Sequence, residues 1–175
     1  MKDEFVVCKV SKDDMTAPLF QQIVHVENSG GDPYSVEQLK ELWCEDNHFD
    51  CFVCTNHHKA IGHIIFNPHS RRRNGSVYVI NLVVLPEYRR KGIGQRLLEA
   101  GCEYYLKQGC TLPFSLSVDK DNIPAITLYK KLGFQEQIPI NEVEEDNTQY
   151  IMESTFDEVY HNILSTQRIK NVKNN

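Results

Sequence analysis

Residues 81–107 read NLVVLPEYRRKGIGQRLLEAGCEYYLK: an apolar run, a proline, a cationic bend with two glycines, then a helical pattern. The apolar run completes SVYVINLVVL, apolar on both parities except at Asn81, which predicts a central strand covered on both faces and ended by Pro86. On the other side of the bend, Ile93, Leu97, Leu98, Gly101 and Tyr105 mark one face of a helix that stops near Gly109. A strand, a glycine-containing bend and a helix together form an anion site, because the first turn of a helix has unpaired N–H groups and a partial positive charge. Gly92 and Gly94 remove side chains that would block a ligand, and Arg89, Arg90 and Lys91 add charge that phosphate oxygens can use. The natural ligand of such a bend is a phosphate or pyrophosphate.

Upstream, FVVCKV reads as a strand, and Leu19, Phe20, Ile23 and Val24 in PLFQQIVHVE recur at helical spacing. SVEQ signals a second short helix, with Ser35 as cap and Gln38 reaching back, and with Leu39, Leu42 and Trp43 as its apolar stripe. FDCFVCT, the polar turn NHHK and AIGHIIF predict an antiparallel hairpin. Downstream, LPFSLSV is a further strand. DNIPAITLYKKLGF has a complete helix signature: Asn122 as cap, Pro124 in the first turn and Gly133 just past the end. FQEQI and TQYIMES carry weaker strand signals around the acidic loop NEVEEDN. The last stretch places Thr155 and Glu158 at capping-box spacing, with Phe156, Val159, Tyr160, Ile163 and Leu164 on one face that should dock onto its own core.

A chain of 175 residues can bury one full core, so we expect one domain over residues 1–154, followed by an amphipathic helix and frayed tail over residues 155–175. Its 41% hydrophobic and 25% charged residues are ordinary for a soluble protein, and no apolar run approaches the ~20 residues that span a bilayer. MKDEFVV lacks the layout of a signal peptide, so a cytoplasmic location is expected. The formal net charge of -5 argues against a broad grip on nucleic acid. The six cysteines are scattered, as in a reducing compartment. His48, Cys51, Cys54, His57 and His58 invite a zinc reading, but in a strand Cys51 and Cys54 point to opposite faces, so no metal is expected there.

The bend does not fit the commoner phosphate signatures. A P-loop needs GxxxxGK followed by Ser or Thr, and no such run exists. A dinucleotide fingerprint needs glycine where Leu97 stands and an acidic residue near position 115. What matches is RxxGxG, as Arg89, Gly92 and Gly94. With Asn122, Ala125, Tyr129, Gly133 and Phe134 some thirty residues later, it resembles the two hallmarks of the GCN5-related N-acetyltransferase (GNAT) superfamily over roughly residues 5–154. The resemblance implies an α/β fold with a central, mostly antiparallel mixed sheet whose fourth and fifth strands splay apart between flanking helices. It also implies acetyl-CoA as co-substrate. The pyrophosphate would lie on Arg89, Arg90, Lys91, Gly92, Ile93, Gly94 and Gln95, the pantetheine arm along Leu82, Val83 and Val84, and Asn122 and Tyr129 would complete the cofactor site.

By the same resemblance Tyr129 sits beside the sulfur, where a phenol of reference pKa ~10 is protonated and able to donate to the departing thiolate. The places where relatives carry a carboxylate base hold Ser117, Ile80 and Asn81. A water held by Ser117 or Asn81 would suffice for an amine of low pKa. His63, Glu27 and Asp119 are further relays, with a surface or hairpin role the simpler assignment for each. Glu27, Pro33, Tyr34 and Ser35 resemble the first-helix region of the ribosomal-protein-alanine acetyltransferase branch, which lines a groove for a protein N-terminus. Glu27, Tyr34, Asn81 and Ser117 are therefore the expected substrate contacts. Arg71 to Arg73 are expected in a solvated loop, with contact to an acidic substrate or to the ribose phosphate as the alternative.

The expectation is direct acetyl transfer to a primary amine by a monomer or homodimer without nucleic-acid or membrane partners. A peptide α-amine stands slightly ahead of a polyamine, amino acid or antibiotic as acceptor. Two rivals are a catalytically silent CoA-binding module and a nicotinamide oxidoreductase, the latter requiring preference for NADH over CoA.

Overall fold

A computed structural model of the chain describes residues 4–11, 16–30, 49–68, 75–137 and 148–173. The expected helix at SVEQLKELW, together with Pro33, Tyr34, His48, the Arg71 to Arg73 loop and NEVEEDN, lies outside them. Seven strands, β1 (Phe5–Val10), β2 (Asp50–Asn56), β3 (Lys59–Asn67), β4 (Val77–Val84), β5 (Phe114–Asp119), β6 (Gln135–Gln137) and β7 (Gln149–Ser154), hydrogen-bond in the order β1-β2-β3-β4-β5-β7-β6. Among the described residues four α-helices accompany them: α1 (Ala17–Glu27), α2 (Ile93–Lys107), α3 (Ile123–Lys131) and α4 (Phe156–Lys173). This is the mixed α/β architecture expected from the sequence. The chain forms two compact units, Met1–His69 with Val79–Gly101, and Ser70–Tyr78 with Cys102–Asn175.

In the first unit β1 pairs antiparallel with β2, and β2 with β3. Cys51 and Cys54 both lie in β2, as the strand reading required, and burial pushes the Cys54 thiol up to about 11. The β2–β3 hairpin closes through His57 and His58, both with positive φ (48° and 65°). A two-residue turn whose central residues both have positive φ favours Asn-Gly, because a side chain in the left-handed region costs roughly 1–2 kcal/mol. His58→Gly should therefore raise the urea midpoint, by about 1 kcal/mol of stability. A lower midpoint would show that the imidazole makes a contact worth more than the strain.

Phe20, Ile23, Val26, Ile64, Phe66, Leu97 and Leu98 form the core of this unit. Gly101 permits the approach of α2 to Phe66: a Cβ built on it would lie 2.3 Å from the ring's Cζ. Phe66 has no exposed surface, and Phe52 meets it edge-on at 5.8 Å, so the ring has little room to yield. Gly101→Ala should cost about 1–3 kcal/mol by overpacking, against up to ~1 kcal/mol returned by helix propensity. A urea midpoint that rises instead would mean that the ring relaxes freely.

In the second unit β7 pairs antiparallel with both β5 and β6. α4 docks as its apolar face predicted. Phe156 stacks on Phe114 at 4.5 Å and on Tyr105 at 4.8 Å, Val159 and Ile163 are fully buried, and the Tyr160 hydroxyl donates to Glu103 at 2.9 Å. Half of the expected capping box forms: Thr155 Oγ1 accepts the Glu158 N–H at 3.1 Å, while the Glu158 carboxylate takes the Ser154 hydroxyl at 3.3 Å.

Candidate active site

The bend between β4 and α2 begins as one 3-10 turn, Pro86–Tyr88. Arg90 (φ 65°) and Gly92 (φ 81°) then take left-handed conformations, the backbone form from which anion-binding nests are made. The α2 ladder opens with Arg96 N–H donating to Gly92 O at 3.1 Å, so the N–H groups of Ile93, Gly94 and Gln95 precede it at the positive end of the helix dipole. Gly92 is exposed, with open space where a Cβ would go. Its glycine is therefore demanded by φ and not by packing. Arg90 tolerates the same region at a cost of roughly 1–2 kcal/mol, a feature that the sequence did not disclose.

The cations of the bend are used differently from one another. Arg89 donates from Nε to Val84 O at 2.9 Å and from Nη2 to Ser29 O at 3.3 Å, fastening the bend to the end of β4 and to the residues after α1. Lys91 Nζ lies 5.0 Å from the centre of the Tyr88 ring. Ile93 is buried beneath the bend.

β4 corrects one expectation. Its apolar residues were expected to be covered on both faces, but only Val77 and Val79 are buried, and Ile80, Asn81, Leu82, Val83 and Val84 remain half-buried. Apolarity permits burial without requiring it. Gly62 of β3 and Gly30 after α1 hold this end of the strand closely. A Cβ on Gly62 would sit 3.0 Å from Val83 O and 3.3 Å from Ile93 Cγ2, and one on Gly30 would sit 3.2 Å from Val83 Cγ1.

Glu27 and His63 lie deeper than a surface role would leave them: His63 is in β3 of the expected hairpin with 0% exposure, and Glu27 is 4% exposed. Glu27 Oε2 and His63 Nε2 are 2.6 Å apart, and Asn81 Nδ2 donates to Glu27 Oε1. Two of the expected substrate residues, Glu27 and Asn81, thus share one buried cluster with His63. Asp119 stays at the surface, accepting from Gln149 at 2.7 Å.

In the second unit the Asn122 carboxamide accepts the Ala125 N–H at 3.2 Å and caps α3, so its side chain is engaged locally. At the other end Gly133 (φ 97°) donates to Lys130 O at 3.1 Å and Phe134 donates to Tyr129 O at 3.0 Å, the two bonds of a Schellman cap. The Phe134 ring meets Tyr129 edge-on at 5.6 Å and completes the cap's apolar contact. The Gly-Phe pair that ends the motif therefore holds Tyr129 in place. Burial, and then the nearby Tyr78, push the Tyr129 phenol up to about 12. Ser117 is half-buried on β5, opposite Ile151 in the register with β7.

The sequence profile of the acetyltransferase (GNAT) family matches residues 18–134. The N-alpha-acetyltransferase MAK3 of Arabidopsis thaliana is 29% identical over 120 residues, which cover 67% of this chain and 60% of that protein. The chain thus spans less than two thirds of that relative. The crystal structure of the ribosomal-protein-S18-alanine N-acetyltransferase of Escherichia coli superposes with TM-score 0.68 at 23% identity, over 87% of this chain and 94% of that one. PaiA N-acetyltransferase of Thermoplasma acidophilum, solved in complex with coenzyme A, superposes with TM-score 0.64 at 19% identity, over 87% and 99%. Both solved neighbours have this fold. With the profile running from α1 through the bend and the capped α3 to Phe134, the chain belongs to the acetyltransferase (GNAT) family.

Proposed function

We propose that this protein transfers the acetyl group of acetyl-CoA directly to a primary amine, and that the acceptor is the α-amine of a protein or peptide. The observation that carries the reading is the bend at Arg90 and Gly92, whose left-handed backbone leaves the first N–H groups of α2 ahead of the helix ladder and fits a diphosphate. Bound acetyl-CoA supplies an activated thioester carbonyl. Gly92, Ile93, Gly94 and Gln95 hold its diphosphate by backbone, with Arg90 and Lys91 adding charge, while Arg89 braces the bend. Leu82, Val83 and Val84 offer half-buried strand to the pantetheine arm, and Tyr129 donates to the departing sulfur.

Two considerations support an α-amine. An amine of pKa ~8 is about a tenth neutral at pH 7, whereas a lysine at ~10.4 is neutral in about one molecule in two thousand. The positions where family members carry a carboxylate base hold Ser117, Ile80 and Asn81, which suits the easier deprotonation. The name of the Arabidopsis relative, an N-alpha-acetyltransferase, points the same way. No helix among the described residues is long and apolar enough to cross a membrane. The proposal places the protein in the cytoplasm, as a monomer or homodimer.

Single-turnover transfer from labelled acetyl-CoA to N-terminal peptides, polyamines, aminoglycosides and amino acids tests the proposal. Label on peptide α-amines is the expected result. Label confined to small amines would replace the peptide assignment, and binding of CoA without transfer to any acceptor would leave a silent CoA-binding module.

A further inference from the structure

We infer that the Glu27–His63 pair is the proton acceptor for the incoming amine, with His63 acting as a positioning residue behind Glu27; this rests on the amine-acetyltransferase reading above. Glu27 is the last residue of α1, where a carboxylate opposes the helix dipole, and it is buried as well. A carboxylate held there needs partners. Both of its oxygens are held: Oε2 is 2.6 Å from His63 Nε2, and Oε1 accepts from Asn81 Nδ2. Each carboxylate oxygen accepts two hydrogen bonds, so each keeps a second lone-pair direction for an ammonium donor.

The cluster also lies where an amine would be needed. Asn81 directly precedes Leu82, Val83 and Val84 on β4, and the Val83 side chain packs against Gly30, three residues after Glu27. Arg89 ties Val84 to Ser29 in the same place. The carboxylate and the strand proposed for the pantetheine arm are thereby locked together within one unit. Asn81 on β4, which bonds Glu27, is uncharged, and on β2 the Cys51 thiol is held protonated by burial, with Cys8, Glu27 and Asp50 adding to that effect.

Glu27 takes one proton from the ammonium, with His63 sharing it across the 2.6 Å contact. The freed nitrogen lone pair attacks the thioester carbonyl. The C–N bond forms, the nitrogen sheds its second proton, the C–S bond breaks, and the sulfur leaves with its electron pair and takes up one proton. Ammonium and acetyl-CoA become amide, CoA thiol and one released proton, so the step balances.

His63→Gln keeps a polar partner for Glu27 and removes the imidazole. With an α-amine acceptor, kcat/KM should fall roughly 10²-fold at pH 6.5. The deficit should shrink to within a few-fold once the pH exceeds the acceptor's own pKa, and it should be smaller throughout for acceptors of lower pKa. The Kd for CoA and the Tm should stay near wild type. A loss equal at every pH and for every acceptor, or a weakened CoA affinity, would make the pair a structural strut and overturn the inference. If His63→Gln does not fold, Glu27→Gln, which can still bond both neighbours, is read by the same criteria. Wild-type protein that acetylates no amine would instead remove the functional reading itself.

Discussion

Gly92→Val should raise the Kd for acetyl-CoA at least tenfold while leaving thermal unfolding nearly unchanged. The two halves of this result have separate causes. Gly92 has φ 81°, a region that a β-branched residue enters only as an outlier, at a cost above the roughly 1–2 kcal/mol of an ordinary side chain. The bend can avoid that cost by moving to negative φ, which turns the first N–H groups of α2 away from a diphosphate. About 1.4 kcal/mol of lost binding is already tenfold in Kd. Nothing lies within 4 Å of a Cβ at this position, so the substitution overpacks no core and α2 keeps its buried face. Calorimetric titration with acetyl-CoA and a thermal melt of the same sample test both halves. Unchanged affinity would remove the bend from the ligand site, and a collapsed melt would mean that the glycine serves the fold.

Tyr129→Phe should lower kcat by roughly 10²–10³-fold with the Kd for acetyl-CoA retained, the loss typical of removing one donor aimed at developing negative charge. The phenol is pushed up to about 12, first by burial and then by Tyr78. Handing its proton fully to a thiolate of reference pKa ~8.5 would be uphill by about 5 kcal/mol. In the proposed reaction Tyr129 would therefore serve as a hydrogen-bond donor that steadies the sulfur as it leaves, with solvent supplying the final proton. One corollary is that no limb of the pH–rate profile below pH ~10 belongs to this residue, so the variant should keep the wild-type profile at a lower level. A second concerns stability. The folded pKa lies above the phenol's ordinary value of about 10, so the contribution of this group is complete below pH 10 and is lost as the pH rises through about 12. Unchanged turnover in Tyr129→Phe would end its proposed role. The Schellman cap at Gly133 and Phe134 uses backbone and ring contacts that phenylalanine at 129 preserves, so loss of folding is not expected to obscure the result.

Much of the frame was legible because its signals are local. Asn122 and Gly133 bracket α3 where the caps predicted, Pro86 stands just past the end of β4, and the apolar positions of α2 and α4 identified their buried faces. The bend was read as an anion site from its place between a strand and a helix, its glycines and its cations, and the left-handed φ of Arg90 and Gly92 is what the structure adds. What was not legible has a different origin. Arg89 was read as charge that phosphate oxygens can use, and nothing local showed that it also donates to Val84 and Ser29, the latter 60 residues away in sequence. Glu27 and His63 carried a weak signal, an acidic residue at a helix C-terminus and a histidine within an apolar strand. Neither revealed that the two would meet.

By itself the sequence determined the order of strands and helices, their caps, the glycine bend and the two motifs that mark the family, since each depends on backbone conformations and periodicities spanning a few neighbouring residues. Only the tertiary structure decided that Glu27 meets His63 and Asn81 across 36 and 54 residues of chain, that Arg89 braces the bend, and that β4 is covered over only part of its length. Burial and charge pairing depend on which distant segments pack together, and periodicity along a chain says which face is apolar without saying what will lie against it.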